Sequence, residues 1–184
     1  LMLAQVGQPA PPFTLKSTKD ATGNSDLGKA VSLTDYRGKW LVFFFYPLDF
    51  TFVCPTEILA LSDRYEEFKE LDADILGCST DSVFSHWAWI NTPKEKNGIA
   101  GLQYPLAADY KKETARAYGV LDEADGKAQR GLFIIDPEGI VRYMTVTADN
   151  IGRSVDETLR ILQALQTGGR CPADWKPGKS LLKV

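Results

Sequence analysis

The sequence predicts an α/β protein with a central mixed sheet flanked by helices. Three observations carry that prediction. The run from Trp40 to Tyr46 is apolar and aromatic and is stopped by Pro47, which suits a buried central strand, since proline cannot donate to a sheet ladder. A second apolar run, Ala73 to Cys78, follows after an amphipathic stretch; strand, helix, strand in that order makes a right-handed unit with parallel strands. Late in the chain, Leu132 to Ile135 and Ile140 to Met144 flank Asp136-Pro137-Glu138-Gly139, a type I turn sequence, so a hairpin adds antiparallel strands.

The elements follow in order. Gly7 to Pro12 is an entry loop with three prolines, leading into a short strand at Phe13-Thr14-Leu15. Lys19 to Lys29 is polar and glycine-containing, a surface loop or hairpin tip. Asp35 to Lys39 reads as a turn before the central strand. Beyond Cys54, Pro55 suits a first helical turn, and Ile58, Leu61, Tyr65 and Phe68 mark the apolar face of one helix. Ser82 to Asn91 is a helix carrying Trp87 and Trp89, and Thr92 to Gly101 a connection rich in lysine and glycine. Pro105 to Asp109 is a short strand and Lys111 to Tyr118 a short helix. Ser154-Val155-Asp156-Glu157 is a capping box opening the last helix, whose buried face is Val155, Leu159, Leu162 and Leu165. Gly168-Gly169 ends it. One domain over residues 1–167 and a polar tail over 168–184, containing Cys171, account for the chain, without repeats.

Composition narrows the function. The 184 residues are 44% hydrophobic and 24% charged, ordinary for a globular chain with a full core. A net charge of −3 makes no electrostatic case for nucleic acid. No apolar run approaches the roughly 18 residues of a membrane span, and Leu1 to Gln8 lacks the pattern of a signal peptide. Three cysteines are too few and too unevenly spaced for a disulfide scaffold, so the expectation is a cytoplasmic protein whose cysteines start reduced.

Cys54 stands where a strand has ended and a helix begins. Open α/β sheets place ligands at the carboxyl ends of their strands. Unpaired N–H groups and the helix dipole at such a point favour thiolate over thiol. Lowering a free thiol from about 8.5 to about 6 would raise the thiolate fraction at pH 7 about 30-fold. The plain alternative is a buried, inert cysteine. Glu57, one turn on, would oppose the thiolate unless it has a cation; otherwise it is an ordinary first-turn acid. Thr51 lies on the loop before the helix, where its hydroxyl can face the sulfur or simply close a turn. Cys78 ends an apolar strand and reads as core. His86, the only histidine, would have to reach Cys54 for a Cys–His hydrolase, and its aromatic helix favours packing or capping instead. A zinc site would need Cys54, Cys78, Cys171 and His86 together, and none shows ligand spacing.

Pro47, Thr51 and Cys54 form a PxxxTxxC pattern that continues as Val53-Cys54-Pro55-Thr56-Glu57. This resembles the active-site signature of the peroxiredoxins, the alkyl hydroperoxide reductase and thiol-specific antioxidant family, and VCPTE resembles its typical two-cysteine class. The resemblance covers roughly Gly7 to Gly178 and implies a thioredoxin-like fold, which the mixture of parallel unit and terminal hairpin also suits. It implies a thiol peroxidase in which Cys54 attacks a hydroperoxide and becomes a sulfenic acid. Thr51 would contact the sulfur and the peroxide, Arg130 would be the active-site arginine, and Arg153 a second one. Pro47 belongs to the signature, and Glu57 would help hold the arginines. Cys171, in Arg170-Cys171-Pro172-Ala173, would be the resolving thiol. In that class it comes from the partner subunit, making a homodimer that often assembles into rings of five. Thioredoxin or a flavoprotein disulfide reductase would restore the thiols, with no cofactor or metal in this chain.

Two departures point to a bacterial-type enzyme that forms its disulfide faster than it overoxidises. A GGLG stretch of the peroxide-sensitive pattern is replaced by Asn97-Gly98-Ile99-Ala100-Gly101-Leu102, and the sequence stops thirteen residues beyond Cys171, without a Tyr-Phe extension. Two other readings compete: a non-catalytic holdase or redox adaptor working through oligomer surfaces, and a thioredoxin-type reductase, against which the lack of any CxxC weighs.

Overall fold

The computed structural model describes residues 2–183; Leu1, in the Leu1 to Gln8 stretch, and Val184, in the polar tail, lie outside the described residues. By its contacts the chain divides into Leu1–Gly152 and Arg153–Val184, so the last helix groups with the segment that follows it.

In the first unit the strands are β1 (Thr14–Ser17), β2 (Lys29–Ser32), β3 (Trp40–Phe45), β4 (Ala73–Ser79), β5 (Leu106–Ala108), β6 (Leu121–Asp122), β7 (Lys127–Ala128), β8 (Arg130–Ile135) and β9 (Val141–Thr147). The helices are α1 (Cys54–Asp63), α2 (Tyr65–Glu70), α3 (Val83–Ile90) and α4 (Glu113–Ala117). Seven strands form one mixed sheet in the order β2-β1-β5-β4-β3-β8-β9, and β6 pairs with β7 apart from it. β3 runs parallel to β4, and β4 to β5. Antiparallel strands flank this parallel core on both sides: β1 against β5, with β2 beyond it, and β8 against β3, with β9 beyond it.

The centre of the sheet is buried on both faces, as a parallel pair requires. Successive side chains of β3 point to opposite faces, and residues 41–45 are all at most 1% exposed. On one face Phe43 stacks on Phe13 with ring centroids 4.7 Å apart and meets the edge of Tyr118 at 5.1 Å. On the other Phe44 meets Tyr104 edge-on, and the Tyr104 hydroxyl donates to the Ile58 carbonyl at 2.7 Å, tying α1 to the sheet. Cys78 is fully buried in this core, and burial pushes its thiol well above the ordinary value.

The structure departs from the sequence expectations in physically legible ways. The first strand starts one residue later than expected, with Phe13 buried just ahead of the ladder. Lys19 to Lys29 is the hairpin-tip alternative, closing β1 against β2; β2 itself was not assigned, because Lys-Ala-Val-Ser offers one buried residue and no apolar run. The helix after Cys54 is two helices joined at Arg64, whose φ of −112° and ψ of 16° interrupt the first. The break leaves Ile58, Leu61, Tyr65 and Phe68 all buried, so the apolar period runs through it undisturbed.

In the second unit, α5 (Val155–Gln166) begins with half a capping box. The Ser154 hydroxyl accepts from the Glu157 N–H at 3.2 Å, but the Glu157 carboxylate turns to Arg160. The segment after α5 is hydrogen-bonded rather than loose. Arg160 donates to the Trp175 carbonyl at 3.0 Å, the Trp175 indole to Lys179, and the Leu182 N–H to Arg170, and Trp175 is buried.

The connection after α3 depends on a close backbone approach. A Cβ at Gly98 would stand 1.9 Å from the Thr92 carbonyl oxygen, and the Gly98 N–H already donates to Pro93. Gly98→Ala is expected to cost about 1–3 kcal/mol by forcing this segment apart. Urea unfolding of the variant checks it, and an unchanged midpoint would show that the segment yields freely.

Candidate active site

Cys54 is the first residue of α1, after a loop that leaves the carboxyl end of β3. It is fully buried. The helix start supplies less hydrogen bonding than its position suggests. Pro55 has no N–H, and the Thr56 and Glu57 N–H groups both go to the Val53 carbonyl, at 3.1 and 3.4 Å. The partner of the sulfur is instead Arg130, at the start of β8. Its Nη1 lies 3.3 Å from Sγ and 2.6 Å from Glu57 Oε1.

The charges of this cluster are compensated inside the protein. Glu57 and Arg130 are 4% and 3% exposed, and Arg130 Nε donates to the Asp149 carbonyl at 2.7 Å. Burial opposes the Arg130 charge, but the hydrogen bond and charge of Cys54 and those of Glu57 outweigh it and hold the guanidinium above its ordinary value. The fork therefore has three bonds in fixed directions, with one aimed at sulfur. The segment around Gly152 runs beside this turn: a Cβ there would lie 3.6 Å from Val53 and 3.7 Å from Glu57.

The loop from Pro47 to Val53 is anchored residue by residue. The Thr51 hydroxyl donates to the Leu48 carbonyl at 2.9 Å, which commits its proton to the loop and leaves its oxygen as an acceptor. The Asn97 amide donates to the Thr51 carbonyl at 2.5 Å. Phe50 has a φ of 58°, a left-handed conformation that costs a bulky residue about 1–3 kcal/mol and persists only where neighbours enforce it. Its ring lies 5.8 Å from that of Trp89, whose indole N–H donates to the Asn97 carbonyl at 2.8 Å. The Asp49 carboxylate accepts from Tyr46 at 2.7 Å and meets His86 Nδ1 at 2.8 Å. Burial first, and then the charge of Asp49, push the Tyr46 hydroxyl well above its ordinary value, so it remains a donor.

The structure thus brings together Cys54, Glu57 and Arg130, with Pro47 and Thr51 on the loop before them. Arg153 and Cys171 belong to the second unit. Arg153 is half-buried just ahead of the Ser154 cap. Cys171 is half-buried, with its sulfur 3.7 Å from the Ala164 carbonyl and 3.6 Å from the Thr167 hydroxyl. Sequence reasoning missed Asp149, Asn97 and Asp49. Asp149 acts through its backbone carbonyl, which no side-chain pattern can announce. Among the described residues no group of three or more His, Cys, Asp or Glu is placed to hold a metal, and no helix is long and apolar enough to cross a membrane.

Glu57→Leu leaves the buried Arg130 charge without its carboxylate and is expected to cost about 3–5 kcal/mol. Adding Arg130→Met should restore much of that loss. Denaturation of both single variants and the double variant measures this; additive losses would show no coupling between them.

Comparison with known proteins adds to this geometry. The model of the AhpC/TSA family matches residues 6–144. Peroxiredoxin-1 of Gallus gallus is 53% identical over 184 residues, covering 98% of this chain and 90% of its own. The reduced crystal structure of Plasmodium vivax 2-Cys peroxiredoxin superposes with a TM-score of 0.90 at 40% identity, covering 97% of this chain and 92% of that one. AhpC of Mycobacterium tuberculosis gives 0.82 at 40% identity, covering 95% and 99%.

Proposed function

The chain belongs to the AhpC/TSA family and is a peroxiredoxin, a thiol-dependent peroxidase with a thioredoxin-like fold, and on that premise we propose that Cys54 is the thiol that meets the peroxide and Cys171 the one that resolves it. The observation that carries the assignment of Cys54 is the buried Arg130 Nη1, held by Glu57 and 3.3 Å from its sulfur.

In the first step the Cys54 thiolate attacks the terminal oxygen of the hydroperoxide. An S–O bond forms and the O–O bond breaks. The alkoxide or hydroxide that leaves takes up a proton, giving a sulfenic acid and an alcohol or water. Negative charge builds along the breaking bond, and Arg130, fixed before the reaction, is the donor aimed at it. Thr51, its proton committed to Leu48, presents an acceptor oxygen to the peroxide O–H. Pro47 sets where the loop leaves β3. Glu57 neutralises and orients Arg130, and Arg153 serves as a second arginine of the site.

In the second step the Cys171 sulfur attacks the sulfenic sulfur. An S–S bond forms, the S–O bond breaks and water leaves. We assign Cys171 to the partner subunit of a homodimer and allow the dimers to assemble further, into rings of five. β9, at the end of the sheet, supports a dimer: its outer edge is bonded to Gly7 and Gln8 at Val141, and farther along the strand Val146 is exposed where a second copy can add. Thioredoxin or a flavoprotein disulfide reductase would return both thiols by exchange. All three cysteines are free thiols here, and we place the protein in the cytoplasm, where such thiols stay reduced. In this division residues 1–167 form the peroxidase domain and residues 168–184 deliver the resolving thiol.

Cys54→Ser is expected to abolish peroxide consumption, whereas Cys171→Ser should keep the first turnover and lose recycling through a dithiol reductant. Oxidised protein should run as a dimer on a non-reducing denaturing gel and collapse to monomer with dithiothreitol. Equal first-turnover rates in wild type and Cys54→Ser would sink the assignment, and a fully oxidised monomer would make the disulfide intramolecular. Arg130→Ala should lower the rate at the alkaline plateau of its pH profile about 10²-fold. A plateau equal to wild type would leave Arg130 no part in the transition state.

A further inference from the structure

We propose that Asp49 and His86 are positioning residues for this reaction: a buried pair that holds the loop from Pro47 to Val53 in its peroxide-reducing shape and so sets the balance between sulfenic acid formation and disulfide formation. The inference rests on Cys54 and Cys171 being the reacting thiols.

The pair is defined by hydrogen-bond accounting. His86 is fully buried, and its Nε2 lies 2.9 Å from the Ala107 carbonyl at the middle of β5. A carbonyl only accepts, so Nε2 carries a proton. Nδ1 lies 2.8 Å from Asp49 Oδ2, so one further proton sits between imidazole and carboxylate. Tyr46, just past β3, donates a hydrogen bond from its hydroxyl to Asp49 Oδ1, and its oxygen is 3.3 Å from Nδ1. The Asp49 N–H donates to Asp81 Oδ2 at 2.9 Å, and Ser79 at the end of β4 holds that same oxygen at 2.5 Å. The ends of β3 and β4, the middle of β5 and the buried face of α3 thus converge on one loop residue. No described buried side-chain nitrogen or oxygen lacks a partner, so the network is closed.

The loop it anchors has reason to leave. Phe50, the next residue, is in the left-handed region, and it is exposed. Cys54 is fully buried, whereas a disulfide brings two Cα atoms within about 7 Å. The first turn of α1 therefore has to open before Cys54 can bond to Cys171. Closed, the loop sets Thr51 and Cys54 for peroxide; open, it releases Cys54 to the resolving thiol. Asp49 and His86 make their bonds only in the closed form.

The test follows the two steps separately in the full-length protein, by stopped-flow with hydrogen peroxide and mass spectrometry of Cys54. In Asp49→Ala and His86→Phe the first phase should slow about tenfold and the second, disulfide-forming phase should speed up by a similar factor. Asp49→Asn is the control for folding. Its amide can accept from Tyr46 and donate to Nδ1 of a neutral imidazole, so both rates should return at least halfway to wild type. Opposite movement of the two phases with recovery in Asp49→Asn establishes positioning. Two phases slowed together, two phases unchanged, or Asp49→Asn no better than Asp49→Ala would overturn it. Failure of the Cys54 assignment would show in the wild type, as no sulfenic acid on that residue, and failure of this inference only in the variants.

Discussion

A guanidinium that is 3% exposed needs a carboxylate, and Arg130 finds Glu57. Much of the site follows from that requirement. Glu57 is one turn into α1 and Arg130 opens β8, so their pairing fixes the helix start against the sheet hairpin. The Asp149 carbonyl accepts a hydrogen bond from Nε and fixes the plane of the fork. Sulfur then receives the hydrogen bond that remains in reach. A buried ion pair contributes little net stability compared with an apolar pair of the same volume, so its persistence here is better explained by what it holds in place.

Two networks face each other across one short loop. On the helix side, Arg130 grips Cys54 and Glu57 with charge. On the sheet side, Tyr46 and His86 hold the carboxylate of the loop residue Asp49, and Asp81 holds its backbone N–H. Between them sits Phe50, in a conformation its own side chain disfavours. Cys54, the thiol proposed to react, is therefore carried by a segment under opposing demands: held firmly in place, yet not built into the ladder of the sheet.

The sequence disclosed this protein unevenly, and the reason is range. The central strand and the helix start were legible because β3 and α1 announce themselves within fifteen residues, through aromatic burial, a stopping proline and a helical period. Glu57 was legible as a carboxylate needing a cation, since it lies one turn from Cys54. Its cation, 73 residues away, was found only through family resemblance. Asp49 and His86 are 37 residues apart, and nothing local to either foretells the other. The break at Arg64 was hidden because it preserves the period, and β2 was implied only by the hairpin-tip reading of Lys19 to Lys29 because its sequence has no apolar run. The segment after α5 reads as a polar tail by composition, yet the buried Trp175 and its bonds to Arg160 and Lys179 fix it in place.

Trp89 adds an optical property to this arrangement. Its ring lies 6.0 Å from Tyr46, at the end of the central strand, and 5.8 Å from Phe50, in the loop, while its indole nitrogen is bonded to the segment that also holds the Thr51 carbonyl. It is fully buried, although Phe50 on one side of it is exposed. Departure of the loop, as proposed above, would uncover that side of the indole and change the polarity it senses. The intrinsic fluorescence of this residue, one of four tryptophans in the chain, would then report the opening of the loop without any added label.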